Sequence, residues 1–180
     1  MLPTGIPRSF SSRQMISCNS DTTIKIIDPD NGNIIFEMET GDPFDVFRLS
    51  NSGTHAAFGD RQGKIFLFNI KTRDKEMFYK VGESPVRDIC YNSDDSKILV
   101  GDAKGMIYLV NLDPLKIIYS VKAFSRQTYS VSFYKNMIIA TGRDDKKNLR
   151  FFRVTDGSEE DYLPDFREDT RSSSFIYGMY

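Results

Sequence analysis

An internal repeat constrains this chain of 180 residues more than any other feature. Its clearest copy is Asp21-Thr22-Thr23-Ile24-Lys25-Ile26-Ile27-Asp28. Lys64-Ile65-Phe66-Leu67-Phe68-Asn69 follows about 41 residues later, Met106-Ile107-Tyr108-Leu109-Val110-Asn111 about 42 after that, and Asn148-Leu149-Arg150-Phe151-Phe152-Arg153 about 42 further on. A period of that size suits a unit of four short strands. One such unit cannot bury its apolar faces alone, so successive units must stack into a continuous array.

The sequence around each copy agrees. Short runs of β-branched and aromatic residues alternate with clusters of Gly, Pro, Asn, Asp and Ser, and no helical period is sustained anywhere. In the first unit, strands are expected at Ile6 to Phe10, Gln14 to Cys18, Thr23 to Asp28 and Asn33 to Glu39. In the second they are Phe44 to Leu49, His55 to Phe58, Lys64 to Asn69 and Glu76 to Val81. The third copies that plan with Val86 to Tyr91, Lys97 to Val100, Met106 to Asn111 and Ile117 to Val121. The fourth has Gln127 to Phe133, Met137 to Thr141 and Leu149 to Val154, and its last strand is expected near Asp161 to Pro164. Pro164 removes a ladder donor, so only an edge strand is tolerable there. Beyond it Phe166-Arg167-Glu168-Asp169-Thr170-Arg171-Ser172-Ser173-Ser174 has the polar composition of a flexible tail, and Phe175 to Tyr180 offers a possible extra strand. The organisation read from this is a repeat domain over 1–157, in units of 5–39, 40–82, 83–125 and 126–157, followed by a degenerate strand and tail over 158–180.

Composition narrows the function classes. With 24 basic and 25 acidic residues the net charge is −1, which supplies no general attraction to nucleic acid or to an anionic membrane. Cys18 and Cys90 fall at or beside apolar strand positions, where buried thiols in a reducing compartment are the expectation. There is no long apolar run, and the N-terminus has two early prolines and no apolar leader core, so a soluble, cytoplasmic protein is expected, with the nucleus left open.

Period, strand pattern and the segment Asn19-Ser20-Asp21-Thr22-Thr23-Ile24-Lys25-Ile26-Ile27-Asp28 resemble the WD-repeat family of β-propellers over roughly residues 5 to 155. The resemblance implies an all-β propeller of about four blades, each of four antiparallel strands. Asp21 stands where the family keeps a structural Asp, and that column becomes Gln62, Lys104 and Lys146 in later copies. The position of the family's terminal dipeptide is held by Ile27-Asp28, Phe68-Asn69, Val110-Asn111 and Phe152-Arg153, so Asp28, Asn69 and Asn111 join Asp21 as structural candidates. The chain has no Trp, and its single histidine, His55, lies in a second strand, so the family's hydrogen-bonded tetrad is absent. Four blades are fewer than most members close into a ring. An incomplete ring is therefore expected, completed by a second copy, by another chain or by further residues of a longer product; a self-closed four-blade ring is the alternative.

The residues offer two candidate chemistries. Asn19, Asp60, Asp102 and Asp144 share one column, and carboxylates around an axis are the ligands a hard cation such as Ca²⁺ takes. A propeller enzyme or metal-binding hydrolase using Asp60, Asp102 and Asp144 is thus the alternative function, against the stronger expectation that Gly-Asp before a strand is turn chemistry. Arg143, Lys146, Lys147, Arg150 and Arg153, interleaved with Phe151 and Phe152, suggest phosphate contact. Asp144 and Asp145 sit among them, and alternate strand residues point to opposite faces, so a solvated loop is expected. Neither His55 nor the Asp144-Asp145 pair has the partners catalysis needs, and no cofactor motif is present. The leading expectation is a non-enzymatic protein-protein interaction scaffold, since the family docks partners on the face made by the loops between blades and the turns before third strands. Here those positions are Asp42, Asp60, Arg61, Glu83, Asp102, Lys104, Arg126 and Arg143, beside Pro43, Ser84 and Ser125.

Overall fold

The computed structural model describes residues 10–11, 14–18, 23–28, 30–39, 44–72 and 74–161. Among these there are sixteen strands and no helix. The first sheet is β1 (Phe10–Ser11), β2 (Gln14–Cys18), β3 (Thr23–Ile27) and β4 (Ile34–Glu39). The second is β5 (Phe44–Leu49), β6 (His55–Asp60), β7 (Lys64–Asn69) and β8 (Asp74–Lys80). The third is β9 (Val86–Tyr91), β10 (Lys97–Asp102), β11 (Met106–Leu112) and β12 (Leu115–Lys122). The fourth is β13 (Thr128–Tyr134), β14 (Met137–Gly142), β15 (Leu149–Arg153) and β16 (Glu159–Glu160). Each sheet is an antiparallel meander in chain order, because its connections are too short for the crossover a parallel pair needs.

Two departures from the expected strands have physical causes. β6 and β10 run through Gly59-Asp60 and Gly101-Asp102, which in the sequence read as the start of turns. A Cβ on Gly59 would lie 2.6 Å from Val86 Cβ, and one on Gly101 would lie 2.6 Å from Thr128 Cγ2. These glycines serve the close approach of the next blade's first strand. The last strand of the fourth sheet is two residues, Glu159–Glu160, and precedes the expected position. Arg153 N–H donates to the Ser158 carbonyl and Gly157 turns at φ +73°, which closes the turn after β15 and brings the chain back at Glu159.

Neighbouring sheets pack face to face. Ile26 and Phe36 meet Phe47, Phe58, Phe66 and Phe68, with the Phe36 and Phe68 rings 4.7 Å apart. Ala57, Ile65 and Leu67 of the second sheet pack on Ile89, Ile98, Val100 and Val110 of the third. Leu99, Ile107 and Leu109 pack on Val131, Ile138, Ala140 and Phe152 of the fourth. Strands of the two middle sheets, apolar on both faces, therefore read as near-continuous hydrophobic runs. The first strands β5, β9 and β13 adjoin one another, so the sheets converge there as wedges around an axis. β12 alternates half-buried and exposed residues at the periphery. Among the described residues the ring is not closed between the first and fourth sheets.

A polar hub joins the inner strands. Asp88, 5% exposed, accepts from Arg48 Nη2 at 2.9 Å, from Ser130 Oγ at 2.8 Å and from the Val131 N–H at 2.9 Å. One carboxylate thus bonds three successive blades. At the end of the array formed by the first turns, Asp95 accepts the Asn51 and Ser52 N–H groups, each at 2.8 Å, and so ties the second and third blades.

Candidate functional site

At the opposite end lie the linkers between blades and the turns before the third strands, and one local device builds each turn. Asp60 Oδ1 accepts the N–H of Gln62 and of Lys64, both at 2.8 Å. Asp102 Oδ1 accepts those of Lys104 at 2.9 Å and Met106 at 2.8 Å. Three residues after each Asp comes a glycine, Gly63 or Gly105, at φ +78°. A side chain there would strike the carbonyl of Gly82 or of Phe124, so the turn seats on the following linker. The same glycine carbonyls accept from Val81 and Ala123 at 2.9 Å. These contacts bury Asp60 and Asp102 to 3% and 2% exposure.

Turn capping therefore lies two residues before the Gln62, Lys104 and Lys146 column, at Asp60 and Asp102. The fourth copy varies the theme. Asp144 accepts from the N–H of Lys146 at 3.0 Å and of Ser125 at 2.9 Å, and Arg150 lies 3.4 Å from its second oxygen. Those N–H groups hold the Asp144 carboxyl below the usual carboxylate range. Asp102 Oδ2 accepts from the Tyr108 hydroxyl at 3.2 Å, and burial together with the Asp102 charge pushes Tyr108 up to about 12. Among the described residues no group of three or more His, Cys, Asp or Glu is disposed to hold a metal ion.

Linkers and turns alternate along one arc. Ala103 N–H donates to Pro85 at 2.8 Å, Arg126 N–H to Arg143 at 3.2 Å and Arg143 N–H to Gln127 at 2.7 Å. Arg61, Glu83, Lys104, Arg126 and Arg143 all stand exposed on this arc, whereas Asp60 and Asp102 are buried beneath it. Several are already engaged: Arg61 with Asp45 at 3.1 Å, Glu83 with Lys80 at 2.6 Å and Arg126 with Asp145 at 3.8 Å. The Lys80 ammonium keeps the Glu83 carboxyl below its ordinary range. Asp42, Pro43, Asn19 and Asp21 lie outside the described residues.

Three surface residues of this end were not singled out in the sequence. Each of β5, β9 and β13 carries a bulge near its start, opposite the end of the second strand, and the extra residues are Asp45, Arg87 and Tyr129. A bulged residue has no ladder partner and is turned outward, so Arg87 is exposed and Tyr129 is 51% exposed. Their common spacing of 42 residues (45, 87, 129) was the available signal.

The other candidates sit elsewhere. Asp28 accepts the Asp30 N–H at 2.9 Å, Asn69 accepts those of Lys71 and Thr72 at 3.0 and 3.2 Å, and Asn111 instead donates to the Asp113 and Pro114 carbonyls. Asn69 and Asn111 stand in the last residues of a third strand and Asp28 just after one, where each braces the turn that follows. Three members of the cationic run are paired: Lys147 with Asp161, Arg150 with Glu159 and Asp144, and Arg153 with Glu160. Phe151 and Phe152 are buried and offer no ring to a base. His55 accepts or donates at Nδ1 with the Thr54 hydroxyl, in the turn at the opposite end. Cys90 is half-buried against the apolar cluster between the third and fourth sheets, and burial pushes its thiol up.

No protein-family model matches the chain. It is 25% identical over 143 residues to the WD repeat-containing protein SL1-17 of Schistosoma mansoni, covering 78% of this chain and 47% of that protein. Solved structures with the same fold include Sqt1 of Saccharomyces cerevisiae, at TM-score 0.71 and 16% identity over 82% of this chain and 43% of that one. They also include U3-55K, at TM-score 0.76 and 11% identity, and the RRP9 WD40 repeats, at TM-score 0.77 and 10% identity. Each of these two matches covers 87% of this chain and 51% of the other. The chain thus spans about half the length of these relatives. No helix among the described residues is long and apolar enough to cross a membrane.

Proposed function

Since the chain belongs to the WD-repeat β-propellers, we propose that it is a non-enzymatic scaffold that docks partner proteins on its arc of linkers and pre-third-strand turns. One observation carries this reading. The arc is built on rigid, capped turns, yet it projects charged and aromatic side chains that the fold does not need. Tyr and Arg on a rigid frame are the residues on which docking energy concentrates. The carboxylates that would serve catalysis, Asp60 and Asp102, are instead consumed by backbone N–H groups. The protein would work in the cytoplasm as part of a larger complex, with its ring completed by another chain, a second copy or further blades.

The test is a triple substitution, Arg61→Ala with Arg126→Ala and Arg143→Ala. Tagged wild type and variant are compared by quantitative affinity capture, with Lys135→Ala and Asn136→Ala at the opposite end as the control. The arc variant is expected to lose captured partners that the control keeps, with unchanged circular dichroism. Equal capture by all three proteins would refute docking on this arc.

A further inference from the structure

The charges of the arc are not evenly shared between blades. In the second blade the exposed charges cancel: Arg61 is held by both oxygens of Asp45, and Lys80 by Glu83. In the third and fourth blades Arg87, Lys104, Arg143 and Lys146 are all exposed and form no ion pair with any described carboxylate. Arg126 has only the distant Asp145 contact, at 3.8 Å.

These cations are neighbours by construction. Asp88 bonds Ser130, and the residues just before them, Arg87 and Tyr129, are the bulge residues of these two adjacent inner strands. Gly105, next to Lys104, is seated against the Arg126 carbonyl, and Arg126 is backbone-bonded to Arg143. A cationic strip therefore runs from the turn of the third blade to that of the fourth, with the half-exposed Tyr129 ring beside it. The net charge of the whole chain, −1, conceals this local excess.

We propose that the strip across the third and fourth blades receives an acidic peptide segment of a partner protein, its carboxylates meeting Arg87, Lys104, Arg126, Arg143 and Lys146 while an apolar side chain covers Tyr129. This deepens the docking function proposed above and rests on it. Guanidinium groups match carboxylates two bonds at a time, and an exposed cluster with a net excess of one sign, here five cations against Asp145 and Glu83, steers and selects an oppositely charged segment. Single-stranded nucleic acid fits less well. Its bases need several stacking rings, and Tyr129 is the one aromatic residue well exposed among the described residues, Phe151 and Phe152 being in the core.

The experiment is fluorescence anisotropy on the whole chain with labelled hexaglutamate, hexalysine and an oligothymidylate of matched charge. Hexaglutamate is expected to bind, hexalysine not, and Arg87→Glu with Arg143→Glu to weaken hexaglutamate by about tenfold or more. Arg87→Gln with Arg143→Gln, checked by circular dichroism, provides the same reading should charge reversal disturb folding, with a smaller loss. Unchanged hexaglutamate affinity in the folded variants overturns the placement. Tighter binding of the oligothymidylate overturns the choice of partner. If hexaglutamate does not bind while the Arg61, Arg126 and Arg143 variant still loses its captured proteins, the acidic-peptide proposal fails and the docking reading stands.

Discussion

Substituting Asp88 by Ala tests whether the blades are held to one another by a charge as well as by apolar contact. The carboxylate accepts three bonds from two neighbouring sheets. A hydrogen bond to a charged group contributes roughly 1.5–3 kcal/mol, so a naive sum is about 4.5–9 kcal/mol. Two partners recover part of this. Arg48 has a side chain 34% exposed and keeps its Nε bond to the Ile89 carbonyl at 2.8 Å, while the Ser130 hydroxyl can rotate. The Val131 N–H is buried and has no such recourse. The expected loss is therefore about 3–5 kcal/mol, the range for breaking a buried pair by removing one partner. Asp88→Asn, which keeps an acceptor and loses the charge, should cost about 1–3 kcal/mol by the same reasoning. Urea denaturation followed by circular dichroism measures both. In a double-mutant cycle with Arg48→Ala, the two losses should fall short of additivity by about 1–3 kcal/mol, since the residues share one network. A loss below about 1 kcal/mol for Asp88→Ala, or strict additivity, would refute the hub, because burial at 5% exposure leaves no cheaper account.

Other consequences follow from the turns. Gly105→Ala and Gly63→Ala each force a side chain at φ +78° onto a carbonyl of the next linker, and each should cost at least about 2 kcal/mol in thermal or chemical denaturation. Tyr108→Phe removes only the hydroxyl bond to Asp102, and the preceding blade already has Phe66 at this column, so a loss of about 1 kcal/mol with unchanged circular dichroism is expected. Asp144, Asp94 and Asp156 have folded-state pKa values lowered by hydrogen bonds from neighbouring N–H and hydroxyl groups. Their stabilisation is present above the unfolded carboxylate range and is lost as pH falls through the lower folded values. The melting midpoint should therefore drop below about pH 4. Asp144→Asn should flatten part of that drop.

Much of the fold was legible because a strand declares itself locally. Gln14–Cys18, Phe44–Leu49, Lys64–Asn69 and Val86–Tyr91 have the bounds expected from alternating apolar runs and turn formers. The family resemblance was legible too, through the period, although no Trp and no tetrad remained to mark it. The site was less so. Counting repeats places Arg61, Glu83, Lys104, Arg126 and Arg143 at one end of the array, but only their neighbours show which charges are engaged. Asp45 neutralises Arg61, whereas Arg87, Arg143 and Lys146 form no ion pair with a described carboxylate and Lys104 feels only the charge of Glu83.

By itself, then, the sequence determined the repeat, the four-strand unit and the turn chemistry of Asp60, Asp102 and their glycines, since each depends on residues close together in the chain. Tertiary structure alone decided the rest. Whether Gly59 ends a strand or admits Val86, whether Asp88 is a surface charge or a link between three blades, and whether the bulges of Arg87 and Tyr129 fall on adjacent strands all depend on residues about 27 to 43 positions apart. Local propensity acts over a few residues, whereas these contacts exist only once apolar burial has stacked one sheet on the next.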